Sequence, residues 1–122
     1  LSVTTTVSTS ITADEDTVFR GIMNIIQNAI IYNRPHGSVA IAIAKIPSGT
    51  QITITDTGIG IDQKDIQNIF NRFYRADTSR SRATGGSGLG LAIARAAINQ
   101  CGGTLALTSK KGTGTTAIIR FP

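Results

Sequence analysis

Residues 39–60 read VAIAIAKIPSGTQITITDTGIG, and this stretch decides the fold. Val39–Ile46 and Gln51–Thr55 are rich in β-branched residues that alternate with small or polar ones, which predicts two strands. Pro47-Ser48-Gly49 between them reads as a hairpin loop. Upstream, Val18, Phe19, Ile22, Ile26, Ala29 and Ile30 recur at helical spacing as far as Tyr32. Asp14 suits the N-cap of that helix, Glu15 and Asp16 its first turn, and Pro35 with Gly37 its stop. Downstream come a short helix over roughly residues 62–70, a polar Gly-rich loop over 75–87 and an Ala-rich helix, Leu89–Gln100, closed by Gly102-Gly103. Strands follow at Thr104–Thr108 and Thr115–Phe121, and residues 2–12 are strand-prone. The order predicts an α/β two-layer sandwich: a mixed, largely antiparallel sheet of about five strands packed on three helices.

With 122 residues, one domain is the expectation, and Leu1 in place of a starting Met suggests a piece of a longer protein. Hydrophobic residues make up 40% and charged residues 16%, a composition that can bury a core and does not read as disordered. No apolar run approaches the roughly 20 residues of a membrane helix. Cys101 is the only cysteine, which excludes disulfides within the chain and cysteine-rich zinc sites. The net charge of +5 admits nucleic acid, an anionic surface or a phosphorylated ligand. Arg72, Arg75, Arg80 and Arg82 concentrate that charge, but no aromatics interleave with Arg80 and Arg82 as a base-stacking platform requires.

Three features can carry chemistry. Asn24 and Asn28 lie one turn apart on one helix face, either as solvated amides or as donors of oxygen to a hard cation. Asp56 ends a strand ahead of Gly58 and Gly60, where a carboxylate can accept from an exocyclic amine while the glycines permit close backbone approach. Alone, that pattern is also common in hairpins. Gly85-Gly86-Ser87-Gly88-Leu89-Gly90 leads into a helix, which presents N–H groups to an anion. It is not a P-loop, because the Gly-Lys-[Ser/Thr] ending is absent, and no strand precedes it as a dinucleotide fold demands.

In this order the features resemble the catalytic, ATP-binding domain of bacterial two-component sensor histidine kinases, within the wider Bergerat-fold ATPases. Asn24 to Tyr32 is similar to that family's N box, Asp56 to Gly60 to its first glycine box and Ile69 to Asp77 to its F box. Gly85 to Ala94 is similar to the second glycine box, and Gly112 to Thr116 to the last. The resemblance covers about residues 14–122.

It implies ATP and Mg2+ as cofactors. Asp56 would accept the adenine amine with Thr115 assisting, and Gly58 and Gly60 would shape that pocket. Asn28 would hold Mg2+ beside Asn24, and Tyr32 is the N-box aromatic. Gly86, Gly88, Leu89 and Gly90 would meet the phosphates, Arg75 the γ-phosphate, and Phe70 would anchor the lid. The partners implied are a dimerisation domain bearing the phosphoaccepting histidine, in the same protein, and a response regulator; nucleic acid is not among them. The isolated domain would be a monomer, its parent a homodimer in the bacterial inner membrane with this domain in the cytoplasm. Members of the wider group that hydrolyse ATP resemble this helix but carry Glu where Asn24 stands, and an amide cannot take a proton from water. That favours phosphoryl transfer to an external nucleophile. Ile31 occupies the place of the family's usual N-box cation, which leaves a non-catalytic nucleotide-binding module as the alternative, with Arg34 nearby as a candidate replacement. His36, the sole histidine, sits in a Pro-His-Gly turn and reads as a solvated loop residue; Cys101 reads as a small packed side chain.

Overall fold

The computed structural model describes residues 2–5, 13–66 and 90–122. The F box, the arginine cluster and residues 85–89 of the second glycine box lie outside these residues. The elements run β1 (Ser2–Thr5), α1 (Glu15–Ile31), β2 (Val39–Ile46), β3 (Gly49–Asp56), α2 (Gln63–Ile66), α3 (Gly90–Gln100), β4 (Thr104–Lys110) and β5 (Gly114–Phe121). The five strands form one sheet in the order β1-β2-β3-β5-β4. β1 runs parallel to β2 and every other pair is antiparallel, so the predicted mixed two-layer sandwich is what forms.

The hairpin is tighter than its sequence suggests. Ile46 pairs with Gly49, so the loop is Pro47-Ser48 alone and Gly49 already belongs to β3. β4 and β5 are likewise longer than expected, reaching Lys110 and starting at Gly114 around a Lys111–Thr113 turn. Strand alternation turns Val39, Ile41, Ile52, Ile54, Leu105, Ala117, Ile119 and Phe121 to the helices, where all are buried. Ala40, Ala42, Thr55, Ala106 and Thr108 stand exposed on the other face.

Asp14 caps α1 as expected: its carboxylate accepts from the Thr17 N–H at 3.0 Å and the Thr17 hydroxyl at 2.6 Å. Those hydrogen bonds, side chain first, hold Asp14 below its ordinary pKa. The buried face of α1 differs from the expected one. Phe19 and Ile30 are 65% and 55% exposed, while Gly21, Ile25 and Ala29 are buried with Val18, Ile22 and Ile26 packed beside them. At roughly 100° per residue, Phe19 and Ile30 fall about a quarter-turn or more outside the arc centred on Ile25 and Ala29. The second helix explains that arc. A methyl group on Gly21 would lie 3.2 Å from Ile98 Cγ1 and 3.3 Å from Ala97 Cβ, so α1 and α3 meet through small residues.

α3 ends as its Gly pair implies, with the Gly103 N–H donating to Ile98 O and Gly102 N–H to Asn99 O. Cys101 packs, half-buried, against the core. Ile98 is wholly buried between the layers. Ile98→Ala should therefore cost about 2–5 kcal/mol, read as a fall in urea midpoint at unchanged m-value. A loss below about 1 kcal/mol would mean that the α1–α3 seam collapses to fill the space.

Candidate functional site

Asp56 is the last residue of β3, on the helix-facing side of the sheet. Because Thr55 pairs with Thr116, the next residue of β5, Thr115, lies beside the Asp56 side chain. Asp56 Oδ1 accepts from the Thr115 N–H at 3.2 Å and from the Gly58 N–H at 2.8 Å. Oδ2 takes no hydrogen bond from any described residue. Partial burial raises the carboxyl pKa above its ordinary value, opposed by the Gly58 and Thr115 N–H groups, which favour the anion. The half-buried acceptor is thus oriented by backbone and keeps one oxygen for a donor from outside.

Two glycines make that arrangement possible. Gly58 is buried against the Tyr32 carbonyl oxygen, with Asp56 Oδ1 only 2.9 Å from where a Cβ would stand. Gly114 has φ 140° and presses on the Asp56 carbonyl oxygen, a conformation and a contact that both exclude a side chain.

Three loops meet around this carboxylate, and polar ties hold them. Ile59 N–H donates to Tyr32 O at 3.1 Å, and Gly112 N–H to Ile59 O at 2.7 Å. Thr57 and Ser38 exchange bonds at 3.1 Å (Thr57 N–H to Ser38 O) and 2.8 Å (Ser38 N–H to Thr57 Oγ1). Arg34 joins all three loops: its Nη2 donates to Gly58 O at 3.1 Å and to Gly112 O at 2.6 Å. This corrects the sequence-based suggestion that Arg34 replaces a phosphate-facing cation, since its guanidinium is turned to two carbonyls. Gly60 continues the Asp56 loop against Lys110 O.

Below the loops, Ser109 Oγ accepts from the Ile61 N–H at 2.7 Å, donates to Gly114 O at 3.0 Å and lies 2.7 Å from Thr115 Oγ1. Sequence reasoning missed both Ser109 and the role of Arg34. Ser109 carried a signal, because it continues the inward series Leu105, Leu107 with a polar residue. Arg34, in a loop between Asn33 and Pro35, carried none.

Asn24 and Asn28 share a face of α1, but their amides are placed differently. Asn24 Nδ2 donates to Arg20 O at 2.8 Å in its own helix. Asn28 faces the start of α3, where a methyl group on Gly90 would lie 3.4 Å from Asn28 Nδ2 and 3.5 Å from Oδ1. The structure therefore gathers Asn28 with Gly90, and Asp56, Gly58 and Thr115 with Tyr32. Ile31 is half-buried at the end of α1. Phe70, Arg75, Gly86, Gly88 and Leu89 lie outside the described residues. His36 is exposed in its turn at φ 62°.

Residues 13–122 match the family described as histidine kinase-, DNA gyrase B- and HSP90-like ATPase. The sensor-like histidine kinase SenX3 of Mycolicibacterium smegmatis is 40% identical over 124 residues, which takes in 100% of this chain and 32% of SenX3. WalK of Bacillus subtilis, a sensor histidine kinase, is 40% identical over 111 residues, covering 89% of this chain and 18% of WalK. The chain thus spans about a third or less of the curated relatives it matches. Among solved structures, the mycobacterial sensor histidine kinase MprB superposes with a TM-score of 0.86 at 31% identity, covering 99% of this chain and 81% of that one. Full-length ShkA, solved in complex with AMPPNP, superposes at 0.79 with 26% identity, covering 99% of this chain and 25% of that one. By its sequence match and by its fold, the chain belongs to the histidine kinase-, DNA gyrase B- and HSP90-like ATPase family, and its relatives there are sensor histidine kinases.

Proposed function

We propose that this chain is one domain of a sensor histidine kinase, binds Mg2+-ATP and supplies the γ-phosphoryl group to a histidine on a separate dimerisation domain of the same protein. A response-regulator aspartate then takes the phosphoryl group. The observation that carries the reading is Asp56, a half-buried carboxylate with Oδ1 fixed by two N–H groups and Oδ2 left for an amine. That donor pattern suits the 6-amino group of adenine. ShkA, a structural neighbour, is recorded with AMPPNP, an ATP analogue.

The residues present also fit Mg2+. Among the described residues no three His, Cys, Asp or Glu side chains cluster. The Asn28 carboxamide by α3 instead offers one hard oxygen, the arrangement in which nucleotide phosphates provide most of the ligands. The bound cation would neutralise charge between phosphoryl groups during transfer. Gly90, with Gly86, Gly88 and Leu89, would direct N–H groups at the phosphates; Arg75 would meet the γ-phosphate and Phe70 would anchor the lid. Among the described residues, no helix is long and apolar enough to cross a membrane. Placement in the cytoplasm beneath a membrane-anchored, homodimeric parent is part of the same proposal.

Asn24 selects the reaction. Its Nδ2 donates to Arg20 O, so its oxygen can at most accept a hydrogen bond and cannot carry away a proton from water. The nucleophile is then the imidazole nitrogen of the acceptor, which displaces ADP at the γ-phosphorus. Phosphoryl transfer to the separately supplied acceptor domain, with little phosphate released by this chain alone, is the result expected. Nucleotide binding without transfer would favour the non-catalytic module that Ile31 keeps in view, and steady phosphate release would favour an ATPase.

Asp56→Asn should abolish ATP binding in a calorimetric titration with Mg2+, because the amide that replaces Oδ2 puts a donor against the adenine amine. The folded pKa of Asp56 is raised, so the stability linked to it is present below the unfolded pKa and lost as pH rises through the folded one. At pH 7 the variant should therefore lose nucleotide without a fall in thermal midpoint. ATP affinity of the parent should weaken as pH drops through that raised pKa, where Asp56 gains its proton. Binding that survives in Asp56→Asn would remove the adenine assignment.

Ile31→Lys restores the cation that the family resemblance places there. It should tighten ATP binding by about tenfold or more, since a charge-assisted hydrogen bond contributes about 1.5–3 kcal/mol. Unchanged affinity would show that Ile31 is no defect.

A further inference from the structure

Hydrogen counting through Ser109 fixes the direction of a chain of hydroxyls. Gly114 O is an acceptor only, so the 3.0 Å contact requires the Ser109 hydrogen. Ser109 Oγ already accepts from the Ile61 N–H at 2.7 Å, and its own hydrogen is committed. The 2.7 Å contact to Thr115 Oγ1 must then be made with the Thr115 hydrogen. Thr115 Oγ1 is left with lone pairs alone. Its neighbour Asp56 Oδ2, when ionised, also offers only lone pairs.

We infer that Ser109 is a positioning residue that sets base specificity by holding Thr115 as an acceptor, so that the pocket selects a 6-amino purine over a 6-oxo purine. The inference rests on the nucleotide reading above. Two acceptors on neighbouring strands and the same sheet face suit the hydrogens of an exocyclic amine, met directly or through a bridging water. A 6-oxo purine brings a carbonyl oxygen to the same place, where neither Asp56 Oδ2 nor Thr115 Oγ1 can donate to it. If the Ser109 hydroxyl is removed, the Thr115 hydrogen is free to turn toward that oxygen. The preference for the 6-amino base then falls to what Asp56 alone maintains.

The test is calorimetric titration of this chain with ATP and with ITP, which differ at the purine 6-position and its N1 proton. Ser109→Ala should lower the ratio of ATP to ITP affinity by about tenfold, the scale of one hydrogen bond lost or gained. Merely structural damage would weaken both nucleotides and leave the ratio where it was. Thr115→Val should also lower the ratio, whereas Thr115→Ser, which keeps the hydroxyl, should retain it. In the Thr115→Val background, adding Ser109→Ala should change the ratio no further. An unchanged ratio in Ser109→Ala, or a further change in that background, overturns the proposal. Should Ser109→Ala not fold, an unchanged ratio in Thr115→Val overturns it just as well. A parent chain that binds neither nucleotide would defeat the nucleotide reading, and this inference with it; a parent that prefers ATP while the variants keep its ratio defeats this inference alone.

Discussion

Thr55 faces Thr116 across the β3–β5 pair, and this register sets where the acceptor of the site stands. Side chains alternate with a period of two, so a slip of one residue would turn Asp56 to the open face and carry the Thr115 N–H away from it. What prevents the slip lies further along the same strands. Ile52 and Ile54 on β3 and Ala117 and Ile119 on β5 point the same way as Asp56 and are buried under the helices. A slip of one residue would expose them to water. The polar site is therefore positioned by apolar burial several residues away, and the carboxylate sits where the core ends.

Beyond the sheet, among the described residues, none in the pocket loops belongs to the apolar core, and hydrogen bonds take over. Arg34 reaches carbonyls 24 and 78 positions away in sequence, Gly58 O and Gly112 O, and so couples the Asp56 loop to the β4–β5 turn. A planar guanidinium can serve two carbonyls from one nitrogen while it stays hydrated on its other face, which a single ammonium point charge does less well. The Lys111–Asp62 ion pair at 3.9 Å is exposed and contributes little beside it. Arg34 adds to the ties among Tyr32, Ile59 and Gly112 and between Ser38 and Thr57, and its Nη2 is taken up by two carbonyls.

The sheet was legible because its signals are local. Period-two alternation over residues 39–56 located both strands of the hairpin, and Gly102-Gly103 located the end of α3. The burial of α1 was less legible. Its apolar residues cover more than one face, and only the approach of Ala97 and Ile98 shows that Gly21 lies at the seam and Phe19 outside it. Asp56 and its glycines were visible as a motif, since at Gly60 a φ of 71° and the Lys110 carbonyl oxygen leave room for no other residue. Ser109 was visible only as a polar residue out of place in an inward series. The bridging role of Arg34 was not visible at all, because its partners are carbonyl groups, which every residue has.

On the proposed reading, the same economy of groups explains why the domain needs a partner. Three polar side chains among the described residues are already turned to tasks other than taking a proton. Asn24 donates into its own helix, Asn28 stands at the start of α3, and Asp56 is bound by two N–H groups at the base end of the pocket. None is a base near the place where a phosphoryl group would leave. A site built in this way can hold and polarise a nucleotide, but the nucleophile must arrive with its own lone pair, as a neutral imidazole does. Binding and nucleophile then reside on different domains.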